Sequence, residues 1–268
     1  MLDNLKPHPI ETWLKKNNWF FYDHQLKTLE LSKSNFDILL VAPTGGGKTL
    51  AGFLPSLDDL IKNERLDNKL HTLYISPLKA LTVDVHRNLT KPIEDQNLNI
   101  RVETRTGDTS NYKKSRQKLL PPHMLMTTPE SFALLMADTK ANDYFKSIKY
   151  LIIDEIHSLV NSKRGDLLSL NLSRLNTIAP ECNRIGLSAT IKNKESVLNF
   201  LSNKKKTKLI NVAETSQPSI EILSSFNRIP WSGHMATYAI SDIYQQIKKS
   251  CVTIIFVNTR AQAELIFN

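Results

Sequence analysis

Across 268 residues there are only two cysteines, Cys182 and Cys251, far apart and without neighbours at metal-type spacing. A disulfide framework is therefore excluded, and a zinc centre is disfavoured. Both thiols are expected to be reduced, partly buried apolar side chains. No run of eighteen apolar residues occurs, and the N-terminus, MLDNLKPHPIETW, has no apolar signal core. A soluble, cytoplasmic chain without a membrane partner is the expectation. Internal repeats and extended low-complexity segments are missing too. Glycine is sparse, and three of the eight stand side by side in VAPTGGGKTL, Val41 to Leu50. Glycine loses more backbone freedom on folding than any other residue, so three in succession need a reason to be ordered.

What is present is charge and periodicity. Thirty-five Lys and Arg against 26 Asp and Glu give a net charge of +9, which favours a polyanionic partner or an anionic membrane surface. A hydrophobic content of 41% is enough to fill a core. Short apolar runs alternate with longer amphipathic segments, the pattern of an α/β fold with a mostly parallel sheet. Strands are expected at Asp37–Val41, Thr72–Ser76, Ile100–Thr104, Met124–Thr128, Tyr150–Asp154 and Arg184–Ser188. Helices are expected at Lys48–Lys62, Lys79–Leu89, Ser110–Lys118, Glu130–Ala137, Gly165–Ile178 and Lys194–Leu201. The basic stretch NKKKTK then marks the exit from a first domain, residues 1–206. A linker over 207–234 leads into a second domain at 235–268, with Met235–Lys249 helical, Val252–Val257 a strand and AQAELIFN a helix that the sequence leaves unfinished.

Ala42 to Thr49 fits the phosphate-loop pattern, between a predicted strand and a predicted helix. Thr44, Gly45, Gly46 and Gly47 shape a backbone whose N–H groups turn inward at phosphate oxygens, and the helix start adds its positive end. Lys48 is placed to reach the β- and γ-phosphates and Thr49 to ligate Mg²⁺. In LIIDEIH an apolar strand ends in two carboxylates at the same sheet edge. Asp154 suits Mg²⁺ and Glu155 suits polarising an attacking water. An isolated acidic pair after a strand is more often a helix cap; the phosphate loop reverses that preference. His157 by itself reads as a structural histidine. Ser188-Ala189-Thr190 is a small-residue turn whose hydroxyls are able to link the carboxylates to a neighbouring domain. The loops SPLKAL, RTGDT and TTPES fall at the ends of other strands and carry hydroxyls, helix-start amides and bases, the equipment for gripping a phosphodiester backbone. Taken singly, their Ser, Thr and Asp residues are more often helix caps. The aromatic cluster Trp13, Trp19, Phe20, Phe21 and Tyr22 favours packing of an N-terminal helix over base stacking. Gln25 carries an amide suited to an adenine edge.

In their order, VAPTGGGKTLAGFLPSL, LHTLYISPLKALTVDVHRNL, RVETRTGDT, IIDEIHSLVNSKRGDLLSLNLSRL and RIGLSAT resemble the superfamily 2 helicases. Within them they resemble the large-helicase-related branch, and most of all the bacterial ligase-associated DEXH-box helicases. That resemblance covers nearly the whole chain. It implies an ATP- and Mg²⁺-dependent DNA translocase of two RecA-like domains, acting in repair and moving 3′ to 5′. The expected protein is a monomer in the bacterial cytoplasm, associated functionally with a DNA ligase and a nuclease. The resemblance assigns Gln25 to adenine recognition, Lys48 and Thr49 to motif I, Asp154 and Glu155 to motif II, and Ser188 and Thr190 to the coupling motif III. His157 joins nucleotide state to DNA grip. Pro77, Lys79, Thr106, Gly107, Thr128 and Pro129 match the motifs that track one strand. TIIFVNTR, with Asn258 and Arg260, matches the first nucleic-acid motif of the second RecA-like domain. Members of the family continue through that domain, with its arginine finger, into a winged helix, so this stretch is expected to bind ATP better than it hydrolyses it. Two rival readings stand beside this one: an RNA helicase, and an ATP-gated nucleic-acid-binding module without turnover.

Overall fold

The computed structural model describes residues 9–63, 67–191, 193–202, 206–213, 219–223 and 237–267. Two compact units divide the chain, Met1–Glu214 and Thr215–Asn268.

The first unit is built on seven strands, β1 (Asp37–Val41), β2 (Thr72–Ile75), β3 (Val102–Arg105), β4 (Met124–Thr127), β5 (Tyr150–Ile153), β6 (Asn183–Ser188) and β7 (Thr207–Asn211). Its helices are α1 (Pro9–Lys16), α2 (Asp23–Lys33), α3 (Lys48–Lys62), α4 (Lys79–Asp95), α5 (Asn111–Leu119), α6 (Pro129–Met136), α7 (Ala141–Phe145), α8 (Lys163–Ile178) and α9 (Lys194–Leu201). The strands lie in the order β3-β4-β2-β5-β6-β1-β7, every neighbouring pair parallel. Parallel strands need helical crossovers, which cover both faces and explain why DILLV and YLII are apolar almost throughout. Alternate residues of β1 serve opposite faces. Leu39 and Val41 pack with Phe132, Leu168 and Leu172, whereas Ile38 and Leu40 pack with Phe53, Leu57 and Ile93.

Helices α2 and α7 were not expected from the sequence, and the sharpest differences lie at β7, at Val252–Val257 and at Cys251. β7 pairs along its length with β1, from Asp37 with Thr207 to Val41 with Asn211, so the sheet continues past residue 206 into the segment expected to be linker. Its polar residues hid it: TKLIN lies at the sheet edge, and only Ile210 is buried. At the edge, Lys208 Nζ sits 5.0 Å over the Phe36 ring.

The second unit contains a 3₁₀ turn at Thr237–Ala239, α10 (Ile240–Lys248) and α11 (Arg260–Phe267). The apolar run Val252–Val257 is not a strand but an exposed, irregular segment. No strand lies elsewhere among the described residues of this unit, so its backbone N–H and C=O groups have no ladder to join. Residues 235 and 236 of the expected Met235–Lys249 helix, and Asn203, Lys204 and Lys205 of the basic run, fall outside the described residues. Cys182 is buried as expected, but Cys251 is exposed.

Candidate nucleotide and nucleic-acid site

In a parallel α/β sheet, ligands bind outside the carboxyl ends of the strands. Here that edge carries, from neighbouring strands, Thr127 and Thr128 at the end of β4, Ser76 after β2, Asp154 after β5, Ser188 and Thr190 at the end of β6, and the glycine loop after β1. Strand order therefore brings residues more than a hundred positions apart to one rim.

The loop from Ala42 to Gly47 is held by its own backbone. Gly46 N–H donates to Pro43 O at 3.0 Å, and a Cβ at Gly46 would stand only 2.9 Å from that oxygen. Gly45 and Gly47 have φ of +79° and +71°, a region that disfavours side chains. Gly47 is the N-cap of α3. Among the described residues, the amides of Gly45, Gly47, Lys48 and Thr49 make no backbone hydrogen bond. Four unpaired donors at a helix start form an anion cradle. Lys48 is buried and donates to the carbonyls of Ala42 at 2.8 Å and Pro43 at 3.1 Å.

Gln25, 2% exposed, is tied to this loop: its Nε2 donates to Gly47 O at 3.1 Å and its Oε1 accepts from Tyr22 N at 3.0 Å. The amide thus supports the loop, and each of its polar atoms retains one further hydrogen-bonding position. The aromatic cluster divides. Trp13 is buried with its Nε1 donating to Asp95 Oδ2 at 2.8 Å, and Phe21 packs against the core, while Trp19, Phe20 and Tyr22 are exposed. The Tyr22 ring stacks on His24 at 5.4 Å beside Gly47.

Asp154 is clamped at both oxygens, Oδ1 accepting from Glu155 N at 2.8 Å and Oδ2 from the Tyr74 hydroxyl at 2.5 Å. Burial and the facing Asp154 carboxylate push the Tyr74 phenol well above its ordinary range. Glu155 takes left-handed φ and ψ of 44° and 42°, costly for a residue with a side chain and typical of strain kept at functional sites. That turn aims its carboxylate at His157, with Oε2 3.4 Å from Nδ1. The same Nδ1 lies 2.9 Å from Ser188 Oγ, and Ser188 donates to Thr190 O at 2.7 Å. The two acidic residues and the Ser-Ala-Thr turn are thereby joined, as are Asp154 and the glycine loop through the sheet between them.

The loops expected to follow a nucleic-acid strand are brought to the same rim, but their side chains differ in availability. Lys79 and Gly107 are exposed; Pro77, Thr106, Thr128 and Pro129 are buried. Thr128 caps α6, its Oγ1 accepting from Ser131 N, and Thr106 N–H donates to Thr109 Oγ1 at 2.9 Å. Lys79 Nζ is paired with both oxygens of Asp108 at 2.9 Å. Glu130, beside Thr128, receives two hydrogen bonds from Arg164 on α8, at 2.5 and 3.1 Å, and that pairing holds its carboxyl below the usual range. In the second unit Asn258 and Arg260 are exposed, and Asn258 N–H donates to Gln262 Oε1 at 3.1 Å.

Tyr74, Asp108 and Arg164 were not legible as site residues. Tyr74 sits inside an apolar strand and reads as core, Asp108 lies in the RTGDT loop and by itself reads as a helix cap, and nothing local singles out Arg164. Only proximity in the fold reveals them.

The fold and rim define a RecA-like nucleotide-binding domain of the phosphate-loop class. The profile of the DEAD/DEAH box helicases matches residues 22–197, and the chain belongs to that family. It is 38% identical over 97% of its length to the ATP-dependent helicase Lhr-Core of Saccharolobus solfataricus, spanning 31% of that relative. Among solved structures, the Mycobacterium smegmatis helicase Lhr bound to ssDNA and AMP-PNP aligns with 91% of this chain and 32% of its own, at TM-score 0.76 and 32% identity. The DUF1998 helicase MrfA aligns with the whole chain and 40% of its own, at TM-score 0.77 and 26% identity. The chain thus spans about a third of the length of the Lhr-Core relatives it matches. Among the described residues, no helix is long and apolar enough to cross a membrane.

Proposed function

We propose that this chain is the ATP-binding motor core of a DNA helicase that couples nucleotide turnover to movement along a single strand. The observation that carries the reading is the continuous link from Glu155 through His157 and Ser188 to Thr190, on the rim shared by the glycine loop and the SPLK, TGD and TTPE loops. Support for DNA over RNA comes from the Lhr and MrfA relatives, the first of them bound to ssDNA.

The residues fit ATP with Mg²⁺. The amide cradle and Lys48 match phosphate, and the Thr49 hydroxyl and the Asp154 carboxylate would supply hard oxygen donors of the kind Mg²⁺ prefers. When bound, the ion would neutralise charge developing on the phosphates. Within the chain, Lys48 exchanges its loop carbonyls for phosphate oxygens, Glu155 orients the attacking water, and Gln25 holds Gly47 beside the base. Thr44, Gly45 and Gly46 complete the cradle. The His157–Ser188–Thr190 link passes the state of the carboxylates to the neighbouring loop. Lys79, Gly107 and the helix-start amides beside Thr128 grip phosphates without reading sequence, with Pro77, Thr106 and Pro129 shaping their loops. Asn258 and Arg260 supply the corresponding contacts of the second domain, which follows a linker after β7. A repair role, a monomeric state, a bacterial cytoplasmic setting and functional association with a ligase and a nuclease belong to the same reading.

The test is ATP turnover with matched single-stranded DNA and RNA. Stimulation greater with DNA, lost in Lys48→Ala, is the expected result. A clear preference for RNA overturns the DNA assignment. Nucleotide-dependent DNA binding with no turnover replaces the motor by a nucleotide-gated binding module.

A further inference from the structure

We propose that Tyr74 is a positioning residue for the nucleotide site: its buried hydroxyl fixes the Asp154 carboxylate and ties it to the strand that runs directly into the Ser76–Lys79 loop. The inference rests on the assignment of Asp154 to the metal site.

Strand β2 holds Asp154 twice. Its main chain does so through Asp154 N–H to Ile75 O at 2.8 Å, and its side chain through Tyr74 OH to Oδ2 at 2.5 Å. With Oδ1 taken by Glu155 N–H, the carboxylate has one orientation, and each oxygen keeps lone-pair capacity directed elsewhere. Tyr74 is in turn fixed. It is fully buried, and its ring stacks on Phe53 of α3, the helix that begins at Lys48, at 5.2 Å and 28°. One residue thus touches the phosphate-loop helix and the acidic motif, and lies five positions before Lys79. Preorganising a ligand in this way is how outer residues tune metal sites. The plainer account is that a buried phenol needs an acceptor and Asp154 happens to be near. That account predicts a loss of stability on removing the hydroxyl and no change in the response to metal.

In the full chain, a fluorescent, non-hydrolysable ATP analogue is titrated with Mg²⁺ for the wild type, Tyr74→Phe and Asp154→Asn. For Tyr74→Phe the half-saturating Mg²⁺ concentration should rise about tenfold, the weight of a hydrogen bond to a charged group. Binding of the analogue in EDTA should stay unchanged. A folded Tyr74→Phe protein with the wild-type Mg²⁺ curve overturns the proposal. Asp154→Asn should lose the Mg²⁺ response altogether; if it does not, the metal assignment fails on its own account and the proposal falls with it. The wild-type protein labelled with [13Cζ]tyrosine gives a second reading that needs no variant to fold. The Tyr74 resonance should move when Mg²⁺ joins the bound analogue, and a resonance that stays fixed refutes the coupling.

Discussion

His157 Nδ1 lies 2.9 Å from Ser188 Oγ, and the single proton of that hydroxyl is already directed at Thr190 O, 2.7 Å away. Ser188 must therefore accept from His157, which places the imidazole proton on Nδ1. The same proton faces Glu155 Oε2 at 3.4 Å. A structural histidine and a small-residue turn, unremarkable in isolation, become a relay between the acidic motif and the loop after β6.

Removing the Ser188 hydroxyl takes away the acceptor while leaving the imidazole beside Glu155. Ser188→Ala should keep nucleotide binding near the wild-type value and lose about tenfold of the nucleic-acid stimulation of ATP turnover, the worth of one well-placed hydrogen bond near a charge. Equal stimulation in the variant and the wild type removes the relay.

Gly165 is the third residue of α8, in its first turn, where an added Cβ would come 1.9 Å from Leu159 O. That oxygen belongs to the turn leaving the acidic motif, whose Ser162 caps α8 by accepting from Gly165 N at 3.1 Å. Gly165→Ala should destabilise the protein by about 3 kcal/mol or more, at the upper end for single substitutions, because backbone rather than a flexible side chain must move. A melting temperature within a degree of wild type contradicts this packing.

Lys79 and Asp108 are both more than half exposed, so their ion pair contributes little to stability. On the proposed function its effect falls on nucleic-acid binding, because a lysine engaged by a carboxylate is less available to phosphate. Asp108→Ala should tighten binding to single-stranded DNA a few-fold and steepen the dependence of log K on log salt by up to about 0.7, one phosphate contact on a single strand. Lys79→Ala should flatten it by a similar amount. Identical slopes in all three proteins place Lys79 away from the phosphates.

How far the sequence led depends on whether the cause was local. The glycine loop, the strand before it and α3 were legible to the residue because chain geometry, helix capping and anion binding all act within ten positions. The acidic pair was legible because its strand is apolar and ends abruptly. β7 was not, since an edge strand needs little apolar surface, and in TKLIN only Leu209 and Ile210 are apolar, beside a lysine and two polar residues. Val252–Val257 failed in the opposite direction: a composition suited to a strand does not make one without a neighbour. The partnerships of Tyr74 with Asp154, Lys79 with Asp108 and Arg164 with Glu130 come from strand order, which no local pattern encodes.

Three buried histidines set the response to acid. Burial holds His24, His71 and His123 below the usual histidine value; Asp59, 2.7 Å from His71, opposes the shift there but burial outweighs it. His123 Nδ1 accepts from Arg101 N–H at 2.9 Å, a bond that only the neutral ring with its proton on Nε2 makes. The folded state therefore binds fewer protons than the unfolded chain near pH 6.5. The stabilising contribution is complete above that value and is lost as pH falls through it, at up to about 1.4 kcal/mol per pH unit for each histidine. Carboxylates such as Glu130, depressed by Arg164, act only at lower pH, so the two windows separate. Chemical denaturation between pH 7.5 and 5.5 should show stability falling with acid, and His123→Gln should flatten part of that fall. A stability that is level or rising toward pH 5.5 would mean that these rings are charged, or solvated, in the folded protein.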